Sequence, residues 1–300
     1  MSAQAGRNPL AASTSRSRRR KLWGRLMEGL ASFAALVAIA VLLIVIASVA
    51  KRGLPAINLD LFTQVTAAFS FGAGQEGGLK NAIIGTLIMT GLATLMAVPV
   101  GVLIAIFDTE FAPPKVSMAI RMTLNVLAGV PTIVIGVFVF GLLVVGRGQS
   151  AWAAAFALAI IILPVIARAT EEVLLLVPSH LREGSMALGA TRARTVMTVI
   201  LPSAVGGLIT ATIVGIARAA GETAPILFTS SVFANAVVTD PSQPMASLPF
   251  AIFTNSESPS QHDQQVAWAA ALVLMTVVLI GSIAARLLSV RTRRQIEQTR

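Results

Sequence analysis

Apolar runs long enough to cross a bilayer recur along this chain, at 29–50, 81–107, 117–145, 150–168, 203–227 and 266–288. A hydrocarbon core about 30 Å thick takes roughly 20 residues of helix at about 1.5 Å per residue. Inside it every backbone N–H and C=O must be bonded internally, which leaves helices or closed barrels. A barrel strand reads as about ten residues of alternating polarity, and no such alternation is present. Composition agrees: 55% of the 300 residues are hydrophobic and 12% are charged, with mean hydropathy +0.81. That is about half the charge of an ordinary soluble domain. The expected fold is an all-α polytopic membrane protein with six transmembrane helices.

Lysine and arginine total 23 against 13 acidic residues. In a soluble chain that excess would point to nucleic acid. Here the basic residues flank the apolar runs, so no nucleic-acid partner is expected. Cytoplasmic loops carry the excess of basic residues. With both termini inside, Arg7, Arg16, Arg18, Arg19, Arg20, Lys21, Arg25, Lys115, Arg121, Arg168, Arg182, Arg192, Arg194, Arg286 and the C-terminal arginines are cytoplasmic, and Lys51, Arg52, Lys80 and Arg147 are outside. Residues 1–28 form a basic tail expected to be disordered and to touch anionic membrane lipid. The run at 29–50 exceeds the 7–15 residue core of a signal peptide and is followed by further spans, so it is expected to be retained. Residues 29–79 comprise that helix and an outside segment, 80–288 the transmembrane domain, and 289–300 a second cytoplasmic tail.

The second helix carries Ala97, Gly101 and Ala105 at four-residue spacing, which lets a neighbour approach closely, with Pro99 expected to kink it. Asp108 and Glu110 fall where that helix exits and are expected to be solvated. In the third helix Pro131 and Gly136 are expected to set helix geometry. Gly146-Arg147-Gly148-Gln149 reads as a tight outside turn, and 229–265 as a long outside loop whose 247–253 stretch lies at the interface. Trp152 and Trp268 are expected as interfacial anchors. With no cysteine in the chain, disulfides, thiol chemistry and Cys-ligated metals are excluded. His180 and His262 stand alone, so no metal site is expected, and no Ser/His/Asp constellation is present. No internal repeat supports an inverted-repeat carrier.

The cytoplasmic segment 169–202 is too polar to span. Pro178 ends the preceding helix and Ser179 is placed to cap a short one. Leu181, Ser185 and Leu188 then share a face, with Arg182, Glu183 and Met186 beside it and Gly189 as C-cap. A short amphipathic helix of this kind suits either a groove on a soluble partner or a plain interfacial position. Its pattern resembles the cytoplasmic signature of binding-protein-dependent ABC importer permeases: Glu-Ala-Ala, three residues, Gly, nine residues, Ile-x-Leu-Pro. Here Glu183 is followed by Gly184-Ser185, then Gly189 at the family spacing, then Val199-Ile200-Leu201-Pro202. The resemblance implies a type I ABC importer permease (MetI-like) fold, with Leu181, Arg182, Glu183, Ser185, Leu188, Gly189 and Pro202 coupling the chain to ATPase subunits. No G-x-x-x-x-G-K-[ST] phosphate loop occurs. The chain is therefore expected to be no enzyme and to hold no cofactor, with ATP and Mg bound by two partner ATPase subunits.

The fifth helix carries a small-residue stripe, Gly207, Ala211, Gly215 and Ala219, and two charges one turn apart, Arg218 and Glu222. An arginine at mid-membrane costs about 2.5–3.5 kcal/mol on insertion scales. The pair is either structural glue between helices or a fixed positive group facing a path, where the planar guanidinium fork suits phosphate-like oxyanions. Arg218-Ala219-Ala220-Gly221-Glu222-Thr223-Ala224-Pro225 is similar to a segment of phosphate importer permeases of the PstA type. Ala128 to Gly136 and Pro244 to Pro249 agree with it, and the resemblance spans about residues 80–288. It implies a substrate path at Arg218, Glu222 and Thr223, a PstC-like permease partner, an extracytoplasmic phosphate-binding protein, and a multi-pass place in a prokaryotic inner membrane. Pro202 would then be the elbow between the coupling half and Arg218, about 24 Å further along one continuous helix. Rival readings are a permease for sulfate, molybdate or phosphonate, an ion-coupled carrier, or a non-transporting scaffold.

Overall fold

The computed structural model describes the backbone of residues 15–66, 77–232 and 236–298, and within them all side chains but those of 15–18, 21–22, 285–286 and 288–298. Residues 1–14 of the basic tail, 67–76 of the outside segment and Arg300 lie outside the described residues. The elements are α1 (Ser15–Gly53), α2 (Leu59–Thr63), α3 (Lys80–Ile106), α4 (Pro114–Gly129), α5 (Thr132–Val139), α6 (Ala151–Leu175), α7 (Ser179–Ala187), α8 (Arg192–Thr195), α9 (Leu201–Ala220), α10 (Ala224–Thr229), α11 (Leu248–Ser256) and α12 (Gln261–Gln298). Wider π turns extend α3 over Phe107–Phe111 and α5 over Phe140–Val144, and join α8 to α9 over Val196–Ile200.

Five helical stretches are long and apolar enough to cross a membrane: Trp23–Ala56, Lys80–Phe111, Ala151–Leu175, Arg192–Ala220 and Gln261–Ala284. The pair Pro114–Gly129 and Thr132–Val144, bent by 92°, makes a sixth if counted as one span. The chain is a multi-pass membrane protein. Residues up to Lys51 form one compact unit and residues from Arg52 onward another. The described residues of the first unit form a single helix, so residues 15–28 are helical where an irregular tail was expected. Arginine, lysine, leucine and methionine are good helix formers, and they extend a helix already nucleated by the apolar run.

In the second unit α6 is the central post. It packs against α3 and α9, α9 packs on α12, and α10 packs on α5. Alanines make these approaches close: Ala151, Ala153, Ala154, Ala155 and Ala157 of α6 are all buried, as are Ala93 and Ala97 of α3. Close backbone approach is what holds helices together where lipid is as apolar as leucine. The stripe on α9 faces α6, with Ala211 and Ala219 buried and Gly215 against Ile166.

Prolines decide where helices break, and not always where the sequence suggests. The third helix was expected over about 117–145, with Pro131 and Gly136 setting its geometry. It breaks at Val130–Pro131, with Val130 in extended geometry (φ −67°, ψ 129°). A proline ring clashes with the carbonyl four residues back and pushes its predecessor out of the helical region. The fifth helix was expected to run over 203–227 and breaks after Ala220 for the same reason. Pro225 would strike the Gly221 carbonyl, so the chain unwinds at 221–223 and restarts with Pro225 in the first turn of α10. Pro202 does the opposite. Arg192–Ala220 runs through it as one helix of 29 residues, with the π turn Val196–Ile200 just before it giving the ring room. The continuous helix expected between the coupling half and Arg218 is present, with Pro202 inside it. Pro99 and Pro164 lie inside α3 and α6 without interrupting them.

Polar caps fix the remaining ends. The Ser150 hydroxyl accepts from the Ala153 N–H at the start of α6. The N–H groups of Ser150, Ala151 and Trp152 donate to the carbonyls of Thr229, Gln243 and Pro241, so the connection after α10 closes the N-terminus of α6. Of the stretch 247–253, expected at the interface, the first part is packed into the protein: Ser247, Leu248 and Phe250 are buried while Phe253 is exposed, and the Leu248 N–H donates to Thr86 Oγ1 at 2.8 Å. Trp268 carries the Arg52 guanidinium over its ring at 4.9 Å.

Candidate functional site

Arg218 occupies the last turn of α9 and Glu222 lies beyond its end. The helix closes through the N–H of Gly221 on the Arg218 carbonyl (3.1 Å) and that of Glu222 on Ala219 (3.3 Å). Arg218 Nε and Glu222 Oε1 are 3.6 Å apart, an ion pair longer than a hydrogen bond, with the arginine side chain 46% exposed and the glutamate 16%. Among the described residues no hydrogen bond is made to the Arg218 guanidinium. Its donors stand open on one side of a helix break, an arrangement in which the planar guanidinium fork can donate to an oxyanion. Thr223, half-buried, follows in the break, and its carbonyl accepts from the Leu227 N–H at 3.2 Å. The break is held from across by α5, where a Cβ on Gly136 would sit 2.8 Å from Pro225 Cα.

The coupling segment forms at the other end of α9. Pro178, not Ser179, is the N-cap of α7, and no side chain caps it. At the C-terminus the N–H of Gly189 donates to Met186 and that of Ala190 to Ser185, with Gly189 at φ 84°. This pair of bonds around a left-handed glycine is a Schellman closure. It explains a difference from the expected helix face. Leu181 packs into the cluster of Leu174, Val196 and Ile200, and Ser185 Oγ lies 2.9 Å from Thr195 Oγ1. Leu188 is already in the turning chain and is 91% exposed, so it does not share their face. Glu183, Met186 and Gly189 are exposed with it, and Pro202 is exposed further on.

Arg182 anchors α7. Its Nε and Nη2 donate to Glu110 Oε1 at 3.1 and 3.0 Å, Nη2 also to the Leu174 carbonyl at 2.8 Å, and Nη1 to the Val177 carbonyl. Glu110 and Asp108, expected to be solvated, are 7% and 5% exposed. Asp108 Oδ2 accepts from Arg121 Nε at 3.0 Å, Arg121 Nη2 reaches Glu171 Oε1 at 3.0 Å, and Arg168 Nη1 reaches Glu171 Oε2 at 3.1 Å. Arg168 also donates to Asn125. Three acids meet three arginines, so the cluster is neutral, and burial is tolerated because each charge is paired. Sequence reasoning missed it. The one local signal was Arg168 and Glu171 three apart on a helix. Among the described residues no three His, Asp or Glu side chains gather to hold a metal ion. In the connection after α10, the Ser242 N–H and then its hydroxyl hold the Asp240 carboxyl below its ordinary value.

The chain matches the family described as binding-protein-dependent transport system inner membrane component over residues 97–294. It is 41% identical over 245 residues to the probable phosphate transport system permease protein PstA of Methanocaldococcus jannaschii, covering 81% of this chain and 85% of that one. The phosphate transport system permease protein PstA of Pasteurella multocida is 38% identical over 272 residues, covering 89% and 95%. Among solved structures, an inward-facing MetNI methionine ABC transporter matches with TM-score 0.61 at 21% identity, covering 71% of this chain and 95% of that one. A bacterial alginate ABC transporter, in complex with a periplasmic protein bound to alginate pentasaccharide, matches with TM-score 0.62 at 15% identity, covering 93% and 98%. At those identities the likeness is one of fold, that of the type I ABC importer permease.

Proposed function

Because the chain belongs to the family of binding-protein-dependent transport system inner membrane components, we propose that it is the PstA-type permease subunit of an ATP-driven importer of inorganic phosphate. The chain is a permease subunit and forms half of the translocation path. The other half comes from a PstC-like partner. Two ATPase subunits bind ATP and Mg and hydrolyse the nucleotide, and a phosphate-binding protein delivers the anion from outside a prokaryotic inner membrane, with both termini of this chain in the cytoplasm. The observation that carries the substrate is the open guanidinium of Arg218 at the break between α9 and α10, in a chain whose relatives are named for phosphate.

In the working cycle, closure of the ATPase subunits displaces α7 through its exposed turn, Glu183, Met186, Leu188 and Gly189. The bundle opens outward and receives phosphate. Arg218 donates to the anion in transit, Glu222 competes for the same guanidinium and so weakens its hold, and Thr223, next in the chain, offers a hydroxyl to the same path. Uptake into liposomes carrying all subunits tests this reading. Labelled phosphate should accumulate only with ATP inside and binding protein outside, and excess sulfate or molybdate should not compete. Equal competition by those anions, or uptake without ATPase subunits, would refute it.

A further inference from the structure

Two arginines on two different helices reach acids on the same five-residue π turn, Phe107–Phe111. Arg182 of α7 holds Glu110, and Arg121 of α4 holds Asp108. The two acids are buried. Asp108 Oδ1 is buried without a hydrogen-bond partner among the described residues, so the charge of Asp108 rests on Arg121 alone. The other charged groups of the cluster, Arg168 and Glu171, belong to α6. They tie Arg121 to that central helix through Glu171.

The links from α7 into the rest of the protein differ in strength. Toward α8 it makes one neutral bond, Ser185 to Thr195. Toward the π turn and the end of α6 it makes the Arg182 fork, and charge-assisted bonds are about twice as strong as neutral ones. From the π turn the connection continues through Arg121 into α4, across the bend at Val130–Pro131 into α5, and through Gly136 onto Pro225, three residues past Glu222. A π turn departs from the regular helical ladder, and such turns recur at functional positions.

We propose that Asp108 and Glu110 are positioning residues for transport, acting through Arg121 and Arg182 to hand the displacement of α7 to the bent pair α4–α5 and so to the Arg218–Glu222 break. The proposal rests on the importer reading. The continuous helix Arg192–Ala220 is then the fixed wall of the path, and the bent pair is the part that moves.

The test uses the complete transporter in liposomes, with phosphate uptake and ATP hydrolysis measured in parallel. Asp108→Asn and Glu110→Gln keep side-chain volume and one acceptor oxygen while removing the charge. Each should leave hydrolysis and the half-saturating phosphate concentration near the unsubstituted values and lower uptake per ATP about 5-fold. The double variant should fall no further than either single one, because both acids serve one link. Unchanged uptake per ATP in the single variants overturns the proposal. So does a double variant reduced about 25-fold, the product expected of independent supports. Should the double variant fail to assemble, Arg182→Lys reads the same link, since it keeps the charge and loses the fork. It should also uncouple, and full coupling would overturn the proposal. An unsubstituted complex that hydrolyses ATP and imports no phosphate would refute the importer reading instead.

Discussion

Gly136 and Pro225 are in contact so close that a methyl group on the glycine would lie 2.8 Å from the proline Cα and 3.2 Å from the Phe228 ring. These two residues join the bent half-helix α5 to the short helix that follows the Arg218–Glu222 break. Overpacking of this kind costs about 1–3 kcal/mol when the neighbours cannot give. Here the neighbour is backbone. Gly136→Ala should lower the unfolding temperature of the detergent-solubilised complex and reduce phosphate uptake more than ATP hydrolysis. Unaltered uptake would show that α5 and α10 can separate without consequence.

Arg218 and Glu222 should respond oppositely to substitution. Arg218→Ala removes charge-assisted bonds worth about 1.5–3 kcal/mol each, so uptake should drop roughly 10- to 100-fold while ATPase assembly is retained. Glu222→Gln removes the competitor for the guanidinium, and phosphate should then slow its own release. Single-turnover uptake would be preserved as steady-state turnover falls. Full uptake by the Arg218→Ala complex would end the assignment of that residue to the path.

Leu188 offers the cleanest probe of the coupling turn, because at 91% exposure its removal disturbs nothing within the chain. Burying one leucine in a partner's groove is worth about 1.5–3 kcal/mol. Leu188→Asp should therefore weaken titrated ATPase binding about 10- to 100-fold and leave permease stability unchanged. Undiminished ATPase affinity would move the docking surface elsewhere.

Gln149 clamps the chain after α10. Its amide donates to the Phe228 carbonyl (3.3 Å) and to Ser231 Oγ (3.0 Å), and its carbonyl accepts from the Ser231 N–H (3.1 Å). Gln149→Ala should release that segment at a cost of about 1–3 kcal/mol. Amide exchange should then quicken at residues 229–232 while the α3 and α6 cores stay protected.

The helical content of this fold was plain in the sequence, because uninterrupted apolar runs in lipid leave little choice of structure. The effect of each proline was not. Pro131 and Pro225 break their helices, whereas Pro99, Pro164 and Pro202 do not, and the π turn that precedes Pro202 is announced by no local pattern. The small-residue stripe on α9 was legible because spacing by four is a helix face whatever packs there. Asp108 and Glu110 were misjudged as solvated because their partners stand 13 and 72 residues away. Leu188 was assigned to the wrong face because helical spacing was carried one residue past the end of α7. Arg218 and Glu222 were found by the sheer expense of charge in an apolar run, though the unwinding between them was not.

That unwinding has a consequence for how firmly an anion could be held. The end of α9 is the negative pole of its helix dipole, equivalent to about half a negative charge. Arg218 lies in that last turn, with the Glu222 carboxylate 3.6 Å away. An incoming anion meets a guanidinium already largely neutralised from two sides, so its dwell time there should be short. Capture strength would then reside outside the membrane, and this chain would contribute a place to pause, tuned for throughput and not for storage.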